Sequence, residues 1–193
     1  MYSISSINDN IKLAILHLPD YAEITGLLEK RDIEKGGTLF LLEKLMGKPA
    51  ELCYTPVGKP YLANESCHIS ISHSHDKLVI VLNTKTTTGV DIELIRDKVL
   101  KIKHKFLSAE ELKDAGEDAE KLIIYWACKE ALYKLYGKKE VDFIAHLYIH
   151  PFGKNATDTL IGEINLTSFR KKIKLHYEKI EDYMLVYTLD EIG

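Results

Sequence analysis

With 193 residues, 46% of them hydrophobic and 28% charged, the chain has the composition of a soluble globular protein long enough to bury a sizeable core. A net charge of −3 argues against a general electrostatic attraction to nucleic acid, and no apolar stretch reaches the length of a membrane-spanning helix. Three cysteines (Cys53, Cys67, Cys128) without CxxC spacing read as reduced thiols, and the opening MYSISSINDNIK lacks a signal peptide's basic start and apolar run, so the expectation is a cytoplasmic protein.

In chain order, IKLAILHL (residues 11–18) reads as a strand. Residues 21–37 are helical in propensity, with an end or turn expected at Gly36-Gly37. TLFLLEKLMGKP (38–49) is a strong helix, with Thr38 as N-cap and Gly47 before Pro49 as its stop. LCYTPVGKPYL (52–62) gives two short extended pieces around a turn, and HISISHSHDKLVIVLN (68–83) a strand, a polar turn and a fully apolar strand. TGVDIELI (88–95) is a further strand. A basic segment follows, in which Arg96, Lys98, Lys101, Lys103 and Lys105 face only Asp97; it suits an acidic partner or a solvated basic helix. Ser108 and Glu111 have capping-box spacing. EKLIIYWACKEALYKLYG (120–137) is the longest helix, its apolar stripe running through Ile124, Cys128, Ala131 and Leu135. The tail, residues 162–191, alternates like two or three antiparallel strands.

The two best helices share a pattern. LFLLEKLMGK (39–48) and KEALYKLYGK (129–138) agree at five of ten positions, and each precedes an aspartate and an apolar strand. The fold class expected is therefore α+β: two similar α/β subdomains, residues 1–93 and 94–193, each an antiparallel sheet plus a long helix, in a pseudo-twofold arrangement with the site in the cleft between them.

Several side chains in this frame suit chemistry. Asp91 and Glu93 stand two apart in a strand, so both project from one face, which reads either as an exposed face with two solvated acids or as a place for a cation such as Mg²⁺ between like charges. Trp126, Glu130 and Lys134 form one helical stripe, which by itself reads as a face with an i,i+4 salt bridge. The functional alternative makes Glu130 a third carboxylate and Lys134 a point charge for a phosphate, but taken alone these residues favour the salt bridge. His73 and His75 are expected on one strand face, but no third transition-metal ligand follows at diagnostic spacing, and no nucleophile elbow surrounds Ser72. Phosphate binding is a further reading for them, with Lys59-Pro60 on a stiffened turn and KGGT (35–38) as a glycine-rich helix start, each a weak signal by itself.

Taken in order, GKPYL, ISISHSHD, GVDIE, KFLSAEE and WACKEALYK resemble the 4′-phosphopantetheinyl transferase superfamily, in particular its pseudo-dimeric branch typified by Sfp. The resemblance covers residues 58–134; its specific part is the G-V-D-I-E strand followed by W-x-x-K-E-x-x-x-K, with Trp126 35 positions after Asp91. It implies transfer of the phosphopantetheine arm of coenzyme A to a serine of an acyl or peptidyl carrier protein, dependent on Mg²⁺ with Mn²⁺ as a substitute. Position by position, it makes Asp91, Glu93 and Glu130 the metal ligands and Lys134 a contact to the coenzyme A phosphates. It places His73 on the 3′-phosphate with Ser72 beside it, and Lys59-Pro60 near the adenine. Phe106, Ser108 and Glu111 match the start of a carrier-facing helix. Asp91, Glu130 and Lys134 are then the catalytic set, with Glu130 ligand first and proton acceptor second. One departure concerns the first-half helix, where the family places a basic residue near the phosphates; here Lys30, Arg31, Lys35 and Thr38 are the candidates. The expected carrier docks an acidic helix on residues 98–105 of a monomeric enzyme that binds neither nucleic acid nor membrane. The alternative reading is a silent module that binds coenzyme A or a carrier without turnover.

Overall fold

The structure, a computed structural model, describes residues 1–155 and 157–192. Strands β1 (Tyr2–Ser6), β2 (Ile11–His17), β5 (His68–Ser74) and β6 (Lys77–Asn83) form an antiparallel sheet in the order β1-β2-β6-β5. Helices α1 (Leu18–Thr25) and α2 (Lys30–Met46) follow β2, and the short pair β3 (Leu52–Tyr54) and β4 (Pro60–Leu62) leads into β5. The second sheet runs β7-β11-β10-β9-β8, from β7 (Val90–Leu94), β8 (Leu147–Ile149), β9 (Thr157–Leu166), β10 (Phe169–Ile180) and β11 (Tyr183–Ile192). Between β7 and β8 lie α3 (Lys98–Ile102), a 3₁₀ turn (Lys103–Lys105), α4 (Ala109–Ala115) and α5 (Ala119–Tyr136).

Period-two alternation explains how these pieces stack. On β6, Leu78, Ile80 and Leu82 turn toward Leu41, Leu42 and Leu45 of α2. Val79 and Val81 turn the other way, toward Val90 and Ile92 of β7 and Leu185 and Tyr187 of β11. β11 repeats the device, sending Met184 and Val186 to α5. The result is helix, sheet, sheet, helix, with an apolar layer at each interface. β6 is buried on both faces, at roughly 2 kcal/mol for each large apolar side chain, so its continuous apolar run is required where a half-exposed strand would alternate. On β7 the same alternation sends Val90 and Ile92 toward the first sheet and leaves Asp91 and Glu93 on the side of α5. The division expected between residues 93 and 94 falls at the end of β7, which pairs with β11 of the second sheet.

Two expectations for the first half are corrected. Gly36 and Gly37 do not end a helix; they lie inside α2. A Cβ on Gly37 would stand 3.0 Å from Leu16 and one on Gly36 2.8 Å from the Tyr21 hydroxyl, so these glycines let α2 approach β2 and α1 closely. The break falls at Gly26, in the left-handed region at φ 70°. Thr38 is accordingly not an N-cap: it sits mid-helix and donates its hydroxyl to the Glu34 carbonyl at 2.7 Å. The anion-binding helix start proposed for residues 35–38 is lost with it, because those N–H groups belong to the helix interior. Gly47 does end α2, and Gly137 ends α5, both left-handed. The capping box of Ser108 and Glu111 is present.

Candidate active site

β5 and β7 are edge strands of different sheets, and a ladder of serines joins them. Ser70, Ser72 and Ser74 lie on one face of β5, and their hydroxyls accept from the N–H groups of Val90, Ile92 and Leu94 at 3.0, 3.3 and 3.3 Å. The edge of β7 is thereby satisfied without a partner strand. The same hydroxyls donate to the acids: Ser72 to Asp91 Oδ1 at 2.8 Å, Ser74 to Glu93 Oε2 at 3.4 Å. From α5, Lys134 Nζ reaches Asp91 Oδ1 at 2.7 Å and the Val90 carbonyl at 3.0 Å, and Trp126 Nε1 donates to Glu93 Oε1 at 2.8 Å. Lys134 thus bonds across to β7 rather than forming the i,i+4 bridge to Glu130 that the helix alone suggested.

Three carboxylates therefore share this region with one ammonium. Burial pushes Glu130 up to about 7; the charges of Asp91 and Glu93 add to that, and Lys134 opposes it. Burial also raises Glu93, with Asp91 adding to it, and raises Asp91 against the pull of Lys134 and Ser72. Asp91 Oδ2 is buried and has no hydrogen-bond partner among the described residues. An orphaned carboxylate oxygen and surplus negative charge in an all-oxygen setting fit a hard divalent cation. Among the described residues no three acid, histidine or cysteine side chains stand close enough together to form a preformed metal cage.

Of this cluster, Lys134 also faces a cavity of about 160 Å³, lined with it by Lys59, Pro60, Ser70, Tyr133 and Lys138. Through the shared walls Gly58, Pro60 and Ile71 it adjoins one of about 460 Å³, lined among others by Arg31, Lys35, Thr38, Tyr54 and His73. Arg31 and Lys35 of α2 thus line one of two adjoining cavities, together the groove, and Lys134 the other.

With this geometry in place, the comparisons are specific. The family model of the 4′-phosphopantetheinyl transferase superfamily matches residues 87–188, just over half of the chain, from the start of β7 into β11. The chain belongs to that superfamily. A curated relative, the 4′-phosphopantetheinyl transferase psf-1 of Bacillus pumilus, is 38% identical over 87 residues, covering 42% of this chain. The match spans 37% of that protein's own length, little more than a third.

Within this superfamily member, the expected residues separate by surroundings. Asp91, Glu93, Glu130 and Lys134 come together as described. His73 is exposed at the groove, its Nδ1 3.4 Å from Glu34 Oε1, whereas His75 leaves the strand at positive φ and so does not share its face. Ser72 is buried with its hydroxyl held by Asp91 and β7, so it braces the acid instead of facing the groove. Lys59 donates to the Leu135 carbonyl at 2.8 Å, capping the last turn of α5; what its turn offers the groove is backbone and Pro60. Arg31 and Lys35, two of the three basic candidates, line the wider cavity, and Thr38, the fourth candidate, contributes a wall there although its hydroxyl is engaged. In the basic segment Lys98, Lys101 and Lys105 are exposed, but Lys103 is buried against Glu117 and the Gly116 carbonyl. Glu111 turns inward and is buried. The serine ladder and the indole bond to Glu93 lie outside what the sequence patterns predict. The signal for the ladder was present in S-I-S-H-S, whose three serines share the period of Val90, Ile92 and Leu94.

Proposed function

We propose that this protein transfers the 4′-phosphopantetheine arm of coenzyme A to a serine hydroxyl of an acyl or peptidyl carrier protein and releases 3′,5′-ADP. The observation that carries the reading is an acid cluster bonded to Lys134, which itself lines a cavity sharing Gly58, Pro60 and Ile71 with the one that Arg31, Lys35 and His73 line. An elongated ligand with a phosphate at one end and a diphosphate further in fits that spacing of cations. Family membership supports the same reaction.

In this reading the residues divide the work. Arg31, Lys35 and His73 hold the 3′-phosphate, with Pro60 and Tyr54 flanking the base. Lys134 sets its ammonium against the diphosphate. Asp91, through its orphaned oxygen, together with Glu93 and Glu130, would hold Mg²⁺, with Mn²⁺ as a substitute. When bound, that ion supplies charge neutralisation to the diphosphate and its departing phosphate. The serine oxygen forms a bond to the phosphorus nearer the pantetheine while the bond from that phosphorus to the bridging oxygen breaks, leaving that oxygen on 3′,5′-ADP. Glu130, half-buried beside the cluster, is placed to take the serine proton, directly or through water. The carrier docks over exposed Arg96, Lys98, Lys101 and Lys105, next to a cavity of about 200 Å³ that Glu93 and Trp126 help to line. We place the protein in the cytoplasm as a monomer. Among the described residues no helix is long and apolar enough to cross a membrane, and all three cysteines are free.

The test is direct. An apo carrier protein incubated with this protein, coenzyme A and Mg²⁺ should gain the mass of one phosphopantetheine group by intact mass spectrometry. Bound coenzyme A with no mass gain on several acyl and peptidyl carriers would support the silent binding module instead.

A further inference from the structure

Next to Glu130 the long helix carries a lysine that the reaction does not use. Lys129 is 0% exposed and Glu111, its partner, 1%. All three ammonium protons are engaged: Nζ donates to Glu111 Oε2 at 2.7 Å and to the carbonyls of Phe106 and Phe143 at 2.8 Å each. Glu111 is equally committed, Oε2 to the N–H of Ser108 at 2.8 Å and Oε1 to that of Ile149 at 2.9 Å. One buried pair thus ties together the end of the basic segment, the cap of α4, the middle of α5, the loop after α5 and β8. Such a pair is rarely needed for stability, since apolar side chains of equal volume commonly replace it at no loss. An apolar replacement could fill this space but could not hold the backbone of two irregular segments.

Those two segments supply the rings around Trp126. The Phe106 and Phe143 ring centroids lie 4.9 and 5.7 Å from that of the indole, and the indole N–H is the donor to Glu93. We propose that the buried Lys129–Glu111 pair is a positioning element: by pinning the carbonyls of Phe106 and Phe143 it fixes the slot that orients Trp126, and through the indole it fixes Glu93. Its role in turnover rests on the transferase reading above; its role in orienting Trp126 does not.

Trp126 is the chain's single tryptophan, so its emission reads the slot directly. The variant to compare is Lys129→Met with Glu111→Gln, which leaves no uncompensated buried charge. It should fold with native circular dichroism and show red-shifted, more readily quenched emission. Its kcat should fall by about tenfold or more with the KM for coenzyme A unchanged, a split that general loosening would not produce. Added to Trp126→Phe, the pair of changes should lower kcat by no more than about twofold further, because both act through one bond. Phe143→Leu, which opens the slot without touching a charge, should reproduce the emission shift and the kcat loss, and it is decisive if the neutral pair does not fold. Wild-type emission and kcat in either folded variant, or a loss fully additive to Trp126→Phe, would overturn the proposal. If the wild-type protein transfers nothing to any carrier, the reaction fails and the positioning of Trp126 stands or falls on the emission shift alone.

Discussion

Asp91 divides its carboxylate: Oδ1 is held by Lys134 and Ser72, while Oδ2 is buried and unpartnered among the described residues. Ser72 serves the acid and the edge of β7 together, so Ser72→Ala should cost about 1–2 kcal/mol and lower Tm by a few degrees. The KM for coenzyme A should stay near the wild-type value. A raised KM at unchanged Tm would put the hydroxyl in the groove instead. His73 is the opposite case, exposed and facing the wider cavity. If it holds the 3′-phosphate, His73→Ala should raise that KM by about tenfold, the worth of one charge-assisted hydrogen bond. The effect should vanish with an analogue lacking the 3′-phosphate; an equal loss on both ligands would remove His73 from that contact.

At the scale of elements, α5 is the fixed reference for the cluster, and its attachments can be tested. Gly89, just before β7, lies so close to α5 that a methyl group there would collide with the Ala131 carbonyl. Gly89→Ala should therefore lower stability by roughly 1–3 kcal/mol, visible as a lower Tm. At its other end α5 is tied to α4, where Tyr125 donates to Asp114 Oδ2 at 2.6 Å and Lys121 reaches the same oxygen at 2.8 Å. Burial alone would raise Asp114, but the bonds from Lys121 and Tyr125 outweigh it and hold it below its ordinary 3.8. A depressed carboxylate contributes stability that is present above its unfolded value and is lost as pH falls through the folded one. Tyr125→Phe should hence cost about 1 kcal/mol by urea unfolding at pH 7 and clearly less below pH 3.8. A difference independent of pH would mean that the bond does not depend on the ionised acid. Elements were legible in the sequence where burial imposes a period, as in β5, β6, β7 and α5. They were not where the reason lies across a packing contact: Gly36 and Gly37 look like a break until Tyr21 and Leu16 are seen beside them. β1 is exposed throughout and β8 is three residues long, so neither imprints a pattern. In the site, spacing alone reads Glu130 and Lys134 as an i,i+4 pair, and the family resemblance is what joins them to Asp91 and Glu93, whereas the serine ladder and the Lys129–Glu111 pair are bonds between distant segments.

For the whole molecule, two stacked sheets tied by the serine ladder from β5 to β7 hold the acids beside Lys134, with Glu93 and the exposed Arg96 and Lys98 lining one further cavity. Encounter with an acidic carrier should weaken with added salt, and Lys101→Glu with Lys105→Glu should raise the carrier's KM while sparing that of coenzyme A. An unchanged carrier KM would move the docking surface elsewhere. The central claim is that transfer happens at the Asp91 cluster while Arg31, Lys35 and His73 hold the ligand. The most direct test is Asp91→Ala, with phosphopantetheine transfer followed by the mass of the carrier and coenzyme A binding followed by calorimetry without metal. The account expects transfer to be lost and metal-free binding to persist; transfer at the wild-type rate in that variant would contradict it.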